Sequence, residues 1–372
     1  MTFLSINLKE FDYYSGLFIF LPIIVMMEGL FTPPLYSVDI NVRETTLPIL
    51  FSFLFCANIF NLKIGKINQL SFLYFIIIII SYFITITFSV ERFGVILSLI
   101  LSFLLFNHIS KRKNYYDILF YFVLCFSLFS FTIYFYRLNL YAFDFIRTRS
   151  GANIYGGNTL FIVQVLYLAF LKRVSSVNTK RHNIILILLV LNALLFINRL
   201  SIALIPIILI YNYGFKKLIS TILGIFTVIY YYYLESIGNF ELYNNIILRF
   251  SSDNQFGTRM PIIMDALNLI EQNPFIGIGI GMFKDFGSQT SAHNLFLNIF
   301  SEMGLYLGTL ISLIIIYPLL NFLKYRKYQA CLYYTCFLLV ATISGEKLLQ
   351  FSGFASCFNS VMLLVIFKQL KK

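Results

Sequence analysis

Apolar residues recur along the chain in runs suited to crossing a bilayer core, at 13–31, 47–62, 70–90, 93–109, 118–136, 158–171, 184–198, 200–213, 218–234, 295–320, 330–344 and 351–367. An α-helix rises 1.5 Å per residue, so about 20 predominantly apolar residues cover about 30 Å of hydrocarbon. The pattern therefore predicts an all-α, polytopic integral membrane protein of about 12 transmembrane helices, forming a single membrane domain over 1–372. One long polar interruption, at 235–294, stands out from it. The first run is not followed by a small-residue cleavage site and a polar mature chain, so it reads as an anchor.

Composition fits lipid as the solvent. Of 372 residues, 59% are hydrophobic and 12% charged, where a soluble domain carries about twice that charge. The net charge of +12 comes from short basic clusters at the ends of apolar runs, with no basic domain or stripe. Topology explains such clusters, and no nucleic-acid partner is expected. Cys56, Cys125, Cys331, Cys336 and Cys357 all lie inside apolar segments, where a thiol behaves as a small hydrophobe.

The clusters also set the orientation. Lys63/Lys66, Lys111/Arg112/Lys113, Lys172/Arg173/Lys180/Arg181, Lys216/Lys217, Lys324/Arg326/Lys327 and Lys368/Lys371/Lys372 occupy every second connection and the C-terminus. The positive-inside rule places these in the cytoplasm, and both chain ends with them. The opposite connections hold Arg43, Arg92, Arg137, Arg147, Arg149, Arg199, Arg249 and Arg259, with Lys284 and Lys347 as their lysines. A planar guanidinium that keeps its proton grips phosphate in bidentate fashion. As a set these arginines predict an anion site outside, although Asp39, Glu44 and Asp144 offer some of them ordinary ion pairs.

Within the 235–294 loop, the stretch 260–271 reads as an amphipathic helix with Ile263, Ala266, Leu267 and Ile270 on one face. Pro261 suits a first helical turn and Asn273-Pro274 a stop, which would put Arg259 at the anion-favouring N-terminal end. The following Gly277-Ile278-Gly279-Ile280-Gly281-Met282 fails the dinucleotide fingerprint at Met282. Its alternating glycines instead suit close approach of one backbone to another, or to a ligand.

Of the three histidines, His108 ends a run at the cytoplasmic face, His182 falls in a basic cytoplasmic loop, and His293 alone faces outward. Its ordinary pKa suits proton transfer near neutrality. Arg199, between two back-to-back apolar runs, lies near membrane depth, where a charge is costly without a partner or a substrate phosphate. A snorkelling interfacial arginine is the plainer alternative. Glu10-Phe11-Asp12 has the spacing of an acidic metal motif but falls on the cytoplasmic side, so no metal site is expected. Glu28 and Glu302 are buried-acid candidates instead.

Gly257-Thr258-Arg259, Asn273-Pro274-Phe275-Ile276-Gly277-Ile278-Gly279, His293-Asn294 and Glu302-Met303-Gly304 together resemble the O-antigen polymerase and O-antigen ligase superfamily in order and spacing. Asn198-Arg199-Leu200-Ser201 resembles the arginine between two central spans of that family, and 147–153 is a weaker echo. The resemblance implies a metal-independent, cofactor-free glycosyltransferase of the C-type membrane architecture in a bacterial inner membrane. Its donor and acceptor would be undecaprenyl-diphosphate-linked oligosaccharides on the periplasmic side, with a flippase and a chain-length regulator as further partners. It implies His293 as general base and Arg259 and Arg199 as the groups stabilising the diphosphate, with Arg147, Arg149, Arg249, Asn294 and Glu302 contacting substrate. A polymerase is favoured over a ligase. A lipid-linked sugar flippase is a third reading, disfavoured by the outward crowding of ionisable residues and by the lack of an internal repeat.

Overall fold

The computed structural model describes residues 12–20, 68–84, 100, 103–147, 157–174, 179–195, 199–214, 255–280, 282–286, 292, 294–344 and 354–370. All regular structure among them is helical. The helices are α1 (Gln69–Ile84), α2 (Tyr115–Arg147), α3 (Gly157–Arg173), α4 (Thr179–Leu195), α5 (Arg199–Tyr213), α6 (Gln255–Gln272), α7 (Phe283–Phe286), α8 (Leu295–Lys324), α9 (Tyr328–Ser344) and α10 (Phe354–Gln369). Residues 13–20 and 103–109 are helical as well. The predicted runs at 47–62 and 218–234 lie outside the described residues.

Helix α3 is the hub. Every side chain from Thr159 to Leu171 is buried, as expected for a helix apolar on all sides. It packs on α2, α4, α9 and α10. Gln164, a fully buried amide near its middle, is satisfied: its Nε2 donates to Ser127 Oγ at 2.9 Å and its Oε1 accepts from Asn192 Nδ2 at 3.2 Å. A buried amide left unpaired would cost about 1–3 kcal/mol, so this chain ties α2, α3 and α4 into one register.

The periphery is apolar too. Phe72, Ile80 and Phe83 on α1 and Tyr306, Leu310, Leu313 and Leu320 on α8 are exposed, a surface that water disfavours and hydrocarbon accepts. Two described stretches, Tyr115–Thr132 and Leu295–Lys324, are long and apolar enough to cross a membrane.

One end of the bundle collects the basic connections. Asp12 caps the 13–20 helix, accepting from Ser15 N at 3.0 Å, and its other oxygen meets His108 Nε2 at 3.0 Å and the Arg112 guanidinium. Lys368 donates to the Ser110 carbonyl, Asn68 Nδ2 donates to the Phe367 carbonyl at 2.5 Å, and Arg181 pairs with Asp117 at 2.5 Å. Clusters that the sequence places in alternate connections thus share one end, as alternate crossing of a layer requires.

Two expectations are corrected here. Arg137 was expected in a loop after a run ending at 136, but α2 continues unbroken through it to Arg147. Thirty-three residues make a helix about 50 Å long, so α2 outruns the hydrocarbon. His182 was expected in a loop; it belongs to the first turn of α4, buried, with Nε2 at 2.9 Å from the Tyr333 hydroxyl of α9. Burial first, and the nearby Lys172 ammonium second, lower its pKa to about 4.

Candidate functional site

Helix α8 is broken at Gly304, whose φ of +68° and ψ of −176° only glycine tolerates. A continuous helix would pair the Leu305 amide with the Ser301 carbonyl. Instead Leu305 N donates to the Pro274 carbonyl at 2.7 Å, Ile278 N to the Ser301 carbonyl at 2.9 Å and Gly279 N to the Glu302 carbonyl at 2.7 Å. The groups freed by the break are thus satisfied by the segment that follows α6. That closeness needs glycine on both sides. A Cβ on Gly277, itself at φ +75°, would collide with Gly304 N and the Glu302 carbonyl, and one on Gly304 with the Phe275 carbonyl. The close backbone approach expected of the alternating glycines is realised at Gly277. Phe275 and Tyr306 stack on the outside of the junction with centroids 5.6 Å apart.

Helix α6 seats on this junction through Ile262, Ala266 and Leu269, which cluster with Phe283, Ala292, Ile278 and Leu297. Two features of the expected helix are corrected. Its buried face is Ile262/Ala266/Leu269, because Leu267 is exposed together with Met260 and Met264. Those three exposed residues form a second apolar stripe opposite the first, and with apolar residues on two sides periodicity alone could not choose the core face. The helix also begins at Gln255, so Pro261 is internal and Arg259 stands in the second turn rather than at the anion-favouring end. Termination at Asn273-Pro274 is as expected, α6 ending at Gln272.

The start of α8 is fixed by two asparagines. Asn294 is its N-cap, with Oδ1 accepting from Phe296 N at 3.0 Å and Leu297 N at 3.1 Å. Asn298, buried, accepts from Ala292 N at 2.6 Å. Ala292 and Asn294, the chain neighbours of His293, are therefore both anchored to the first turns of α8. Asn294, expected to contact substrate, uses its side-chain oxygen as this cap.

The remaining site residues are distributed as follows. Glu302 is buried at the opened turn. Arg199 is the first residue of α5, after α4 has ended at Leu195, so the tight connection stands, and α5 packs on α4 and α9. Arg147 ends α2, 15 residues beyond the apolar stretch Tyr115–Thr132, about 22 Å along the axis. For Arg147, Arg199 and Arg259 the backbone alone is described, and Arg149, Arg249, His293 and Glu28 lie outside the described residues. The structure thus brings the element bearing Arg259 together with Asn294 and Glu302 in one local unit. Sequence reasoning missed Asn298 as the acceptor that holds the Ala292 amide and Gly304 as a helix break. The signal for the first was its i+4 spacing from Asn294, and for the second the glycine inside an apolar run.

No curated protein matches the chain. A family model described as O-antigen ligase matches residues 166–313. That stretch runs from the middle of α3 past the opened turn of α8 and contains Arg199, Arg249, Arg259, His293, Asn294 and Glu302, with Arg147 and Arg149 upstream of it. The match spans 148 of the 372 residues, and that stretch is similar to a family of enzymes acting on lipid-linked glycans.

Proposed function

We propose that the chain is a multi-pass inner-membrane glycosyltransferase that polymerises undecaprenyl-diphosphate-linked repeat units at its periplasmic face, without a metal. The observation that carries this reading is the backbone junction of 274–279 with 301–305, which joins two of the family-like motifs beside Ala292, the chain neighbour of His293. In this reading the 235–294 loop is periplasmic. An acceptor hydroxyl oxygen attacks the anomeric carbon of the donor glycan, its proton passes to His293, and the bond to the diphosphate oxygen breaks. Undecaprenyl diphosphate leaves. Arg199 and Arg259 meet the charge that grows on the diphosphate, the task a divalent cation performs elsewhere, while Arg147, Arg149, Arg249 and Glu302 hold the glycans. A flippase would deliver the repeat units, and a chain-length regulator would set when extension stops.

The description of the matched family favours one second reading, a ligase that transfers the finished glycan to lipid A-core. The lipopolysaccharide ladder of a strain lacking the gene separates them. Core bearing a single repeat supports the polymerase, bare core with retained lipid-linked polymer supports the ligase, and an unchanged ladder contradicts both.

A further inference from the structure

At the end of the bundle that gathers the basic connections, Arg173 closes α3 with two guanidinium nitrogens, Nε and Nη2, shielded from solvent and without a hydrogen bond. Its Cζ sits 5.2 Å from the centre of the Tyr325 ring, and Lys324 Nζ is 5.9 Å from the same ring. Lys172 is half-buried beside it, and burial lowers its pKa. Asp117, at the same end of the bundle, is taken by Arg181. Two cations therefore flank one aromatic ring at the helix end, with Lys172 next to Arg173 in the chain, and among the described residues none of these three forms an ion pair with a carboxylate.

Charges that serve only to orient a membrane protein remain hydrated. A guanidinium that has given up water at two nitrogens without gaining an acceptor is unfavourable unless an anion arrives. The α3 helix dipole favours cations at its C-terminal end, but dipole attraction leaves N–H donors unfilled. We propose that Arg173, with Lys324 at the Tyr325 ring and with its chain neighbour Lys172, forms a binding site for a phosphate anion at this face, in the form of an anionic phospholipid headgroup. The site stands apart from the proposed transfer chemistry. Its position at the turn between α8 and α9, against the end of the hub helix α3, lets a lipid headgroup tie together the elements that carry the opened turn.

The full-length chain in neutral detergent would be titrated with phosphatidylglycerol in mixed micelles, with phosphatidylcholine, and with inorganic phosphate, reading bound lipid by native mass spectrometry and thermal stability in parallel. Selective retention of phosphatidylglycerol over phosphatidylcholine supports a lipid site. A rise in stability with inorganic phosphate alone supports the same anion site filled from solution. Equal retention of both lipids together with no response to phosphate overturns the proposal, whatever the variants do. In the variant arm, Arg173→Gln weakens phosphatidylglycerol binding about tenfold, and Arg173→Lys weakens it less, since it keeps the charge while losing the two-oxygen grip. Undiminished binding in folded Arg173→Gln would also overturn it.

Discussion

Gly277 and Gly304 face each other so closely that neither can carry a Cβ, and each holds a positive φ. Through this contact the segment after α6 completes the hydrogen bonding of a helix that has opened at Gly304. In a membrane, non-helical backbone persists only where protein shelters it, so the junction is the structural condition for an opened turn beside the site.

Gly277→Ala and Gly304→Ala should therefore each destabilise the protein by at least about 2 kcal/mol, combining backbone strain with collision. Gly16 has open space around its Cβ position and lies in the 13–20 helix, so Gly16→Ala should be neutral or slightly stabilising. Thermal unfolding of the three variants in one detergent checks the contrast.

Asn298 acts by holding the Ala292 amide, next in sequence to His293. Asn298→Leu keeps the volume and strands that buried N–H, a loss of about 1–3 kcal/mol. Turnover should fall while donor KM changes little, because the variant displaces a neighbouring segment without removing a binding charge. A rise in KM at constant kcat would contradict this role.

His293→Ala should lower transfer by about 10²–10⁴ if His293 takes the acceptor proton. Arg199→Ala and Arg259→Ala should lower it as well, and the corresponding lysine variants should recover part of the loss, since charge returns without the bidentate fork. Near-normal transfer by well-folded His293→Ala in membranes would remove the general-base role.

His182 gives a pH test with a definite sign. Its folded pKa is lowered from 6.5 to about 4 by burial and by Lys172, so between those values the unfolded chain binds more protons than the folded one. Stability is fully present above about pH 6.5 and declines as pH falls towards 4, with no further loss from this group below that. His182→Gln, which keeps an acceptor for the Tyr333 hydroxyl, should flatten the melting temperature across this window. An unchanged slope would show that another group governs it.

Much of the fold was legible because lipid imposes a simple rule, that long apolar runs become helices. The described helices α1 to α5 and α8 to α10 fall on predicted runs, and among the described residues the basic connections around Ser110, Arg181 and Lys368 meet at one end. What was not legible depends on contact between distant segments. The apolar pattern cannot show where α2 ends, because Arg137 interrupts hydropathy without interrupting helix. Nor can it choose between the Ile262 and Met264 faces of α6, which differ only in what packs against them. The Asn273–Gly279 and Glu302–Gly304 motifs were readable as separate signatures, yet their union is a property of the folded backbone.

The central claim is that this chain itself transfers lipid-linked glycan. Purified full-length protein in liposomes, supplied with a single undecaprenyl-diphosphate-linked repeat unit and excess chelator, measures that directly. The account predicts a ladder of lipid-linked oligomers, with one undecaprenyl diphosphate released for each repeat added. Release without oligomers, or no reaction until a divalent cation is restored, would contradict it.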